Sequence, residues 1–494
     1  MSAEPFPSLV VTEDAFVPQG SFAEAQAEYL SPDPEVVREL DQLLEAKKVG
    51  VVAHFYMDPE LQGVLAACEW PHVHISDSLA MADAATKMVE AGCEHIVVLG
   101  VDFMSENARA VLDSQGHEAI PVYRVAAEPI GCSLAESAEA KAYGAYLMEA
   151  AERPRSLHVV YINTSLRTKG KAHAIVPTIT CTSSNVVQTV LTAFAQIEGV
   201  EVYFGPDTYM GRNLEELFGS MAEMDDAQIR EVHPAHDRAS MRRVIEGFHY
   251  FRQGTCIVHH MFGADVARRV REDYDDVYVT AHLEVPGEMF EVALERQREA
   301  DAGVVGSTSN ILGFITRKVH EAVEAGGAQR LRFVLGTEAG MITSVVNRVR
   351  RELKSHAGSG VEAEIIFPVA SEAIAEAPGS ELAVVPGVSA GEGCSTAGGC
   401  ATCPYMKMNS LDALLAVVRR VGVADDDLSP YFPHKYVEPI AGRTAADIGG
   451  EPILHMRAFQ RDGRLPDALV EDVKTRHAER GEGVAEADGA APRS

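Results

Sequence analysis

The chain has 494 residues, a net charge of −30, 46% hydrophobic and 6% aromatic residues, and eight cysteines. Its length sets an expectation of roughly three domains of ~150 residues. Its acidity argues against binding nucleic acid or an anionic membrane surface, since both need a basic face. It contains no apolar run of the ~20 residues needed to span a bilayer. The cysteines are too few for a disulfide scaffold in so long a chain, and Met1 to Val17 has no basic region of the secretory kind. A cytoplasmic setting with free thiols is therefore expected.

In chain order, Ser31-Pro32-Asp33-Pro34 opens a helix that runs to Lys48, with Val36, Val37, Leu40 and Leu43 at helical spacing. A strand over 50–54 follows. A helix over 77–91 then places Leu79, Met81, Ala82, Ala85 and Met88 on one face. The continuous apolar run 95–99 suits a parallel strand covered on both sides. The alternation continues with helix 132–150, strand 157–161, helix 184–197 and strand 200–204. Segment 206–245 is acidic, then basic, and reads as an insertion without assigned structure. Helix 264–272, strand 276–280, helices 288–297 and 309–325, and strand 331–335 complete the pattern. Residues 376–380 and 386–399 read as flexible, and 479–494 as a disordered tail.

This order predicts an α/β fold of three similar three-layer α/β/α domains with parallel sheets. The expected divisions are an N-terminal extension 1–34, domains 35–131, 132–255 and 256–402, a closing C-terminal segment 403–478, and the tail. Three stretches repeat one order of features at a period near ~110–130 residues, the scale of domains rather than of a solenoid. Each has an apolar strand with a polar end (His54, Asn163, His282), a hydroxyl cluster, a second strand closed by glycine, and a cysteine: Cys132, Cys256 or Cys403. In parallel α/β sheets, ligands bind beyond the carboxyl ends of the strands, where these polar residues fall.

Three distant thiols delivered by three similar units suggest one shared metal site. They are one short of the four that usually hold an iron–sulfur cluster, which would leave an iron open as a Lewis acid. The clusters Ser76/Ser78, Thr182/Ser183/Ser184 and Ser307/Thr308/Ser309 stand where helix N-termini attract carboxylate or phosphate, although each can also simply cap its helix. His54, His259 and His282 lie beside strand ends or a ligand cysteine. Glu284, two residues past His282, is placed to act as a general base, and Tyr56, two past His54, to donate or orient a proton. Cys68 and Cys93 read as buried apolar residues and Cys181 as near the site, while Cys394 and Cys400 flank Cys403.

The string Ala53-His54-Phe55-Tyr56-Met57-Asp58-Pro59-Glu60 resembles the quinolinate synthase family. So do Ser76-Asp77-Ser78-Leu79, Tyr161-Ile162-Asn163-Thr164-Ser165, Cys181-Thr182-Ser183-Ser184-Asn185, Cys256-Ile257-Val258-His259, Ala281-His282-Leu283-Glu284, Gly306-Ser307-Thr308-Ser309, Gly336-Thr337-Glu338 and Cys403-Pro404-Tyr405-Met406. The resemblance covers roughly residues 35–420. It implies three α/β domains about a pseudo-threefold axis, with a [4Fe–4S] cluster and the active site at the centre. It also implies condensation of iminoaspartate with dihydroxyacetone phosphate to quinolinate, with loss of phosphate and water, in de novo NAD biosynthesis.

Carried over by motif, Cys132, Cys256 and Cys403 are the cluster ligands. His54, Tyr56 and Ser78 are substrate contacts from the first domain, and Tyr161, Asn163, Thr182 and Ser183 from the second. His259, His282, Glu284, Ser307 and Thr308 are contacts from the third, with Glu284, Tyr56 and His282 as the catalytic set. Cys400 of the Cys400-Ala401-Thr402-Cys403 pair is expected to be spare or redox-active. A transient contact with an L-aspartate-oxidising or dehydrogenating enzyme is expected as the source of iminoaspartate. Leu283 and Val285 stand where the family often has proline and cysteine or serine. Two other readings stay open on the residues: a different cluster-dependent hydro-lyase, and a non-enzymatic metal sensor built on Cys394, Cys400 and Cys403.

Overall fold

The computed structural model describes residues 5–368 and 403–477, apart from 425 and 441, together with a short ladder pairing 384–386 with 393–395. Cys400, segment 376–380, most of 386–399 and the tail 479–494 lie outside the described residues. The chain divides into two units. One comprises Met1–Gly131 with Cys256–Pro433, and the other Cys132–Thr255 with His434–Ser494.

Besides the short ladder, the described residues of the first unit form two sheets. In one, four parallel strands run in the order Val73–Ser76, Val49–His54, His95–Leu99, Val122–Tyr123. In the other, Gly303–Gly306, Tyr278–His282, Gln329–Gly336 and Val361–Ile366 are parallel in the same relative order. Two further strands, Ser8–Val11 and Phe16–Gln19, extend that sheet antiparallel beyond Val361–Ile366. The expected N-terminal extension thus supplies a sheet edge, and Leu9, Val10 and Val11 are buried in it.

The second unit has one four-stranded parallel sheet in the order Phe248–Tyr250, Glu201–Gly205, Ser156–Tyr161, Thr178–Cys181. Helix Ala445–Asp462 lies across helix Leu166–Ile175. The parallel strands of the three larger sheets therefore share the order second, first, third, fourth. That order places a topological switch point between first and third strands.

Local chemistry accounts for the helix starts. Asp33 and Asp58 each accept a backbone N–H of their helix and precede a proline at the first helical position, where its missing N–H costs nothing. Asp77, Ser165, Asp207 and Ser307 cap the helices that follow them. The strands Val49–His54 and Ser156–Tyr161 are buried along their whole length, as strands covered on both faces must be.

Two elements differ from expectation. The 132–150 helix is two helices, Ser133–Glu139 and Lys141–Glu152, because Ala140 takes an extended backbone at ψ 150°. The 206–245 segment is three helices, Thr208–Glu223, Asp226–Val232 and Arg238–Gly247, the last two opened by capping boxes at Asp225/Gln228 and Asp237/Ser240. No helix of the described residues is long and apolar enough to cross a membrane.

Gly336 closes the strand Gln329–Gly336, and a Cβ there would overlap the Thr280 carbonyl oxygen of the neighbouring strand. Gly336→Ala is expected to lower the thermal midpoint by the equivalent of ~1–3 kcal/mol, an overpacking cost. Gly144→Ala, in open space within helix Lys141–Glu152, should instead gain ~0.5–1 kcal/mol. Equal behaviour of the two variants in thermal melts contradicts this difference in packing.

Candidate active site

Each sheet builds its functional end in the same register. The last residue of the first strand pairs with the last of the second: His54 with Ser76, Tyr161 with Cys181, His282 with Gly306. One residue on, the chain makes one more backbone bond, from Phe55 N to Ser76 O, Ile162 N to Cys181 O and Leu283 N to Gly306 O, at 2.9–3.0 Å. The polar side chains therefore emerge just beyond the carboxyl edge of each sheet. In the first unit the two histidines are held alike. His54 Nδ1 accepts from Tyr56 N at 3.2 Å, and His282 Nδ1 from Glu284 N at 3.3 Å. An accepting Nδ1 assigns the proton to Nε2 in both rings.

The carbonyls that this turn leaves without strand partners are gathered by a side chain eight residues further on. Gln62 Nε2 donates to the carbonyls of Phe55, Met57 and Gly340, each at 2.8 Å, and is fully buried. In the second unit Lys169 Nζ stands at the matching position and donates to the carbonyls of Ile162 and Thr164. In the third repeat the position is the buried Phe290. Neither Gln62 nor Lys169 was singled out from the sequence. The available signal was the matching place of Gln62 and Lys169, eight residues after His54 and Tyr161.

The hydroxyl clusters divide between capping and availability. Ser307 is occupied by its capping box with Asn310. Thr308 Oγ1 and, in the second unit, Thr182 Oγ1 are buried without a hydrogen-bond partner. Ser78 occupies the first position of helix Ser78–Glu90, whose cap is Asp77 rather than a serine. Ser183 and Asn163 are partly exposed beside the buried Tyr161.

Around Glu284 the first unit collects its titratable groups. Glu284 is 4% exposed; its Oε2 lies 3.2 Å from His259 Nδ1, and its Oε1 lies 3.7 Å from His282 Nδ1. The rings of His259 and His282 stack at 5.2 Å, while Tyr56 lies 6.2 Å from His259 and 4.6 Å from His54. Burial drives His54 and His282 down to about 4, so both are neutral near pH 7. Burial opposes charge on His259 as well, but the charges of Cys256 and Glu284 outweigh it and hold the imidazole protonated well above its ordinary value. Burial, with the carboxylates Glu284 and Glu338, keeps the Tyr56 phenol protonated, and its Oη lies 3.3 Å from Thr337 Oγ1.

Cys256, His259 and Glu284 present ligand atoms within 4.8 Å of one another. Glu338, which sequence reading left without a role, accepts the Cys403 amide at 2.8 Å. Burial raises its carboxyl to about 8 against the opposing pull of that amide and of His259. Asn409 anchors the same segment, accepting Gly100 N at 3.1 Å and donating to Met406 O at 3.0 Å. Thus His54, Tyr56, His259, His282, Glu284 and Thr308 share one unit with Cys256, Cys403, Ser78 and Ser307. Tyr161, Asn163, Thr182, Ser183 and Cys132 belong to the other.

Gln62 sets where His54 and Tyr56 stand. Gln62→Met keeps the length but removes the donor, leaving three buried carbonyls short of a partner. A loss of ~1–3 kcal/mol in stability is expected, measurable by denaturant unfolding. An unchanged midpoint contradicts the role.

The family model described as "NadA: Quinolinate synthetase A protein" matches residues 38–424. A protein named "Quinolinate synthase, chloroplastic" from Nicotiana tabacum is 54% identical over 486 residues, 96% of this chain and 67% of the relative. Proteins of the same name from Arabidopsis thaliana and Oryza sativa subsp. japonica are 53% and 52% identical, over 96% of this chain and 67% and 69% of theirs. The matched span holds every residue of both strand-end clusters, and on these grounds the chain belongs to the quinolinate synthase family, enzymes of NAD biosynthesis.

Proposed function

We propose that the chain condenses iminoaspartate with dihydroxyacetone phosphate to quinolinate, releasing phosphate and water, and that Cys132, Cys256 and Cys403 hold a [4Fe–4S] cluster for the purpose. The observation that carries this reading is the placing of an acid–base pair, Glu284 and His259, within 4.8 Å of the Cys256 thiol. The donor chemistry fits. Burial pushes the thiols of Cys68 and Cys93 up to about 12 and about 11, where a thiolate is disfavoured. Cys256 instead presents its sulfur within 4.8 Å of ligand atoms of His259 and Glu284. Cys132, Cys256 and Cys403 are in no disulfide and are partly exposed. When bound, a cluster on three thiolates supplies Lewis acidity at an iron without a protein ligand.

In this reading the side chains do the rest. Glu284, charged and held by His259, removes protons from carbon next to a carbonyl or imine, and His259 returns them. Tyr56 keeps its proton and donates it to oxygen or nitrogen of the condensing substrates. His54 and His282, neutral with Nε2–H, donate to anionic oxygens without adding charge. Ser78, Ser307 and Thr308 in one unit, and Tyr161, Asn163, Thr182 and Ser183 in the other, are assigned to carboxylate and phosphate oxygens. Helix N-termini complete the neutralisation that an acidic chain lacks in lysine. Because the family is one of enzymes, a sensor function is set aside. For location, the proposal is a reducing compartment: the cytoplasm, or the chloroplast that the relatives' names give.

Two experiments test this. Cys132→Ser, Cys256→Ser and Cys403→Ser, purified without oxygen, should each lose iron and quinolinate formation, while Cys68→Ser and Cys93→Ser keep both. Retention of full iron by any of the first three removes that ligand from the proposal. Glu284→Gln should keep its iron and lose turnover by roughly 10²–10⁴-fold, the usual worth of a general base. Near-normal quinolinate per intact cluster in Glu284→Gln contradicts the catalytic role and leaves the carboxylate a structural one.

A further inference from the structure

A second group of metal-ligating side chains lies outside the site just described. Helix Thr308–Ala325 carries His320 and Glu324, four residues apart; Glu352 on helix Met341–Ser355 and His356 just after it repeat that spacing in reverse order. Residues four apart share one face of a helix. The two helices pack against each other, and their faces meet imidazole to carboxylate. His320 Nδ1 is 2.8 Å from Glu352 Oε1, and His356 Nε2 is 3.3 Å from Glu324 Oε1. His356 Nδ1 lies 3.6 Å from the same Glu352 oxygen, and the two rings stand 5.7 Å apart. His320, Glu352 and His356 offer ligand atoms all within 4.8 Å of one another.

We infer that His320, Glu352 and His356 form a surface site for a divalent transition metal, with zinc as the best match and Glu324 holding the far nitrogen of the His356 ring. Two imidazoles and carboxylate oxygens are the donor set of zinc, whose ligands sit at ~2.0–2.2 Å in a tetrahedron. Magnesium and calcium take oxygen ligands and have no use for the histidines. The ion would take the place of the contact between His320 and Glu352. Little ordering is needed, because the ion pairs already hold the side chains together.

The position suggests what the ion does. Both helices start at the active site: Thr308 is a proposed substrate contact, and Met341 follows the loop from Glu338 to Gly340. Twelve residues of helix at ~1.5 Å each put His320 ~18 Å from Thr308. A bound ion would clamp the far ends of two helices whose near ends carry the chemistry, and would take no part in the reaction itself.

The test uses the cluster-loaded protein without oxygen, so that the cluster thiols are not free to bind zinc. Zinc is titrated by calorimetry, and retained zinc is counted after gel filtration. Wild type is expected to keep one zinc per chain and to melt at a temperature that rises with zinc concentration. His320→Ala and His356→Ala should each weaken binding, the double variant should abolish it, and magnesium should shift nothing. Iron content and quinolinate formation should stay at the wild-type level in both single variants. Equal zinc retention by the double variant, or none by wild type, overturns the inference.

Discussion

A carboxylate removed almost entirely from water sets the terms for the rest of the site. An unpaired buried charge of this kind costs several kcal/mol, so Glu284 needs a cation, and His259 at 3.2 Å provides it. Once that pair is charged, its neighbours settle around it. Glu338, buried near a second carboxylate, is pushed up to about 8 and is mostly protonated at neutral pH. His54 and His282 are held neutral by burial, and Tyr56 keeps its proton. Burial and that pairing together leave one charged imidazole among several neutral donors. Environments that push titratable groups apart in this way are how acid and base roles are divided at one pH.

The backbone makes that arrangement possible by using one register three times. His54, Tyr161 and His282 each end a first strand opposite the last residue of the second. The repeats then diverge where chemistry requires. The position eight residues after the strand end is glutamine, lysine and phenylalanine in turn: the first two gather carbonyls, and the third is buried. The hydroxyl following the second strand serves as a cap at Ser307, but at Thr182 it is left unpaired. Similar strands thus present different side chains.

What could be read from the sequence was local. Strand ends, hydroxyl clusters and the cysteine strings lie within a few residues of the elements that position them, so His54, Glu284 and Thr308 stood out. Glu338 did not, because its meaning comes from an amide 65 residues away. Gln62 was hidden for a similar reason: one of its three acceptors is Gly340. The strand Ser8–Val11 has only four residues and pairs with a strand more than 350 residues along the chain, so neither its length nor its neighbours announced it. The helices of 206–245 were missed for a different reason. Their capping boxes are written in the sequence as Asp225-x-x-Gln228 and Asp237-x-x-Ser240, and the charge pattern drew attention away from them.

The central claim is that a pocket of this design works on carbon acids beside an iron–sulfur centre. The most direct measurement counts iron and acid-labile sulfide per chain in anaerobically purified protein and, on the same sample, follows quinolinate formed from iminoaspartate and dihydroxyacetone phosphate. The account predicts about four of each per chain, with quinolinate formation rising and falling with iron content across preparations. Full quinolinate formation by protein stripped of iron would contradict it.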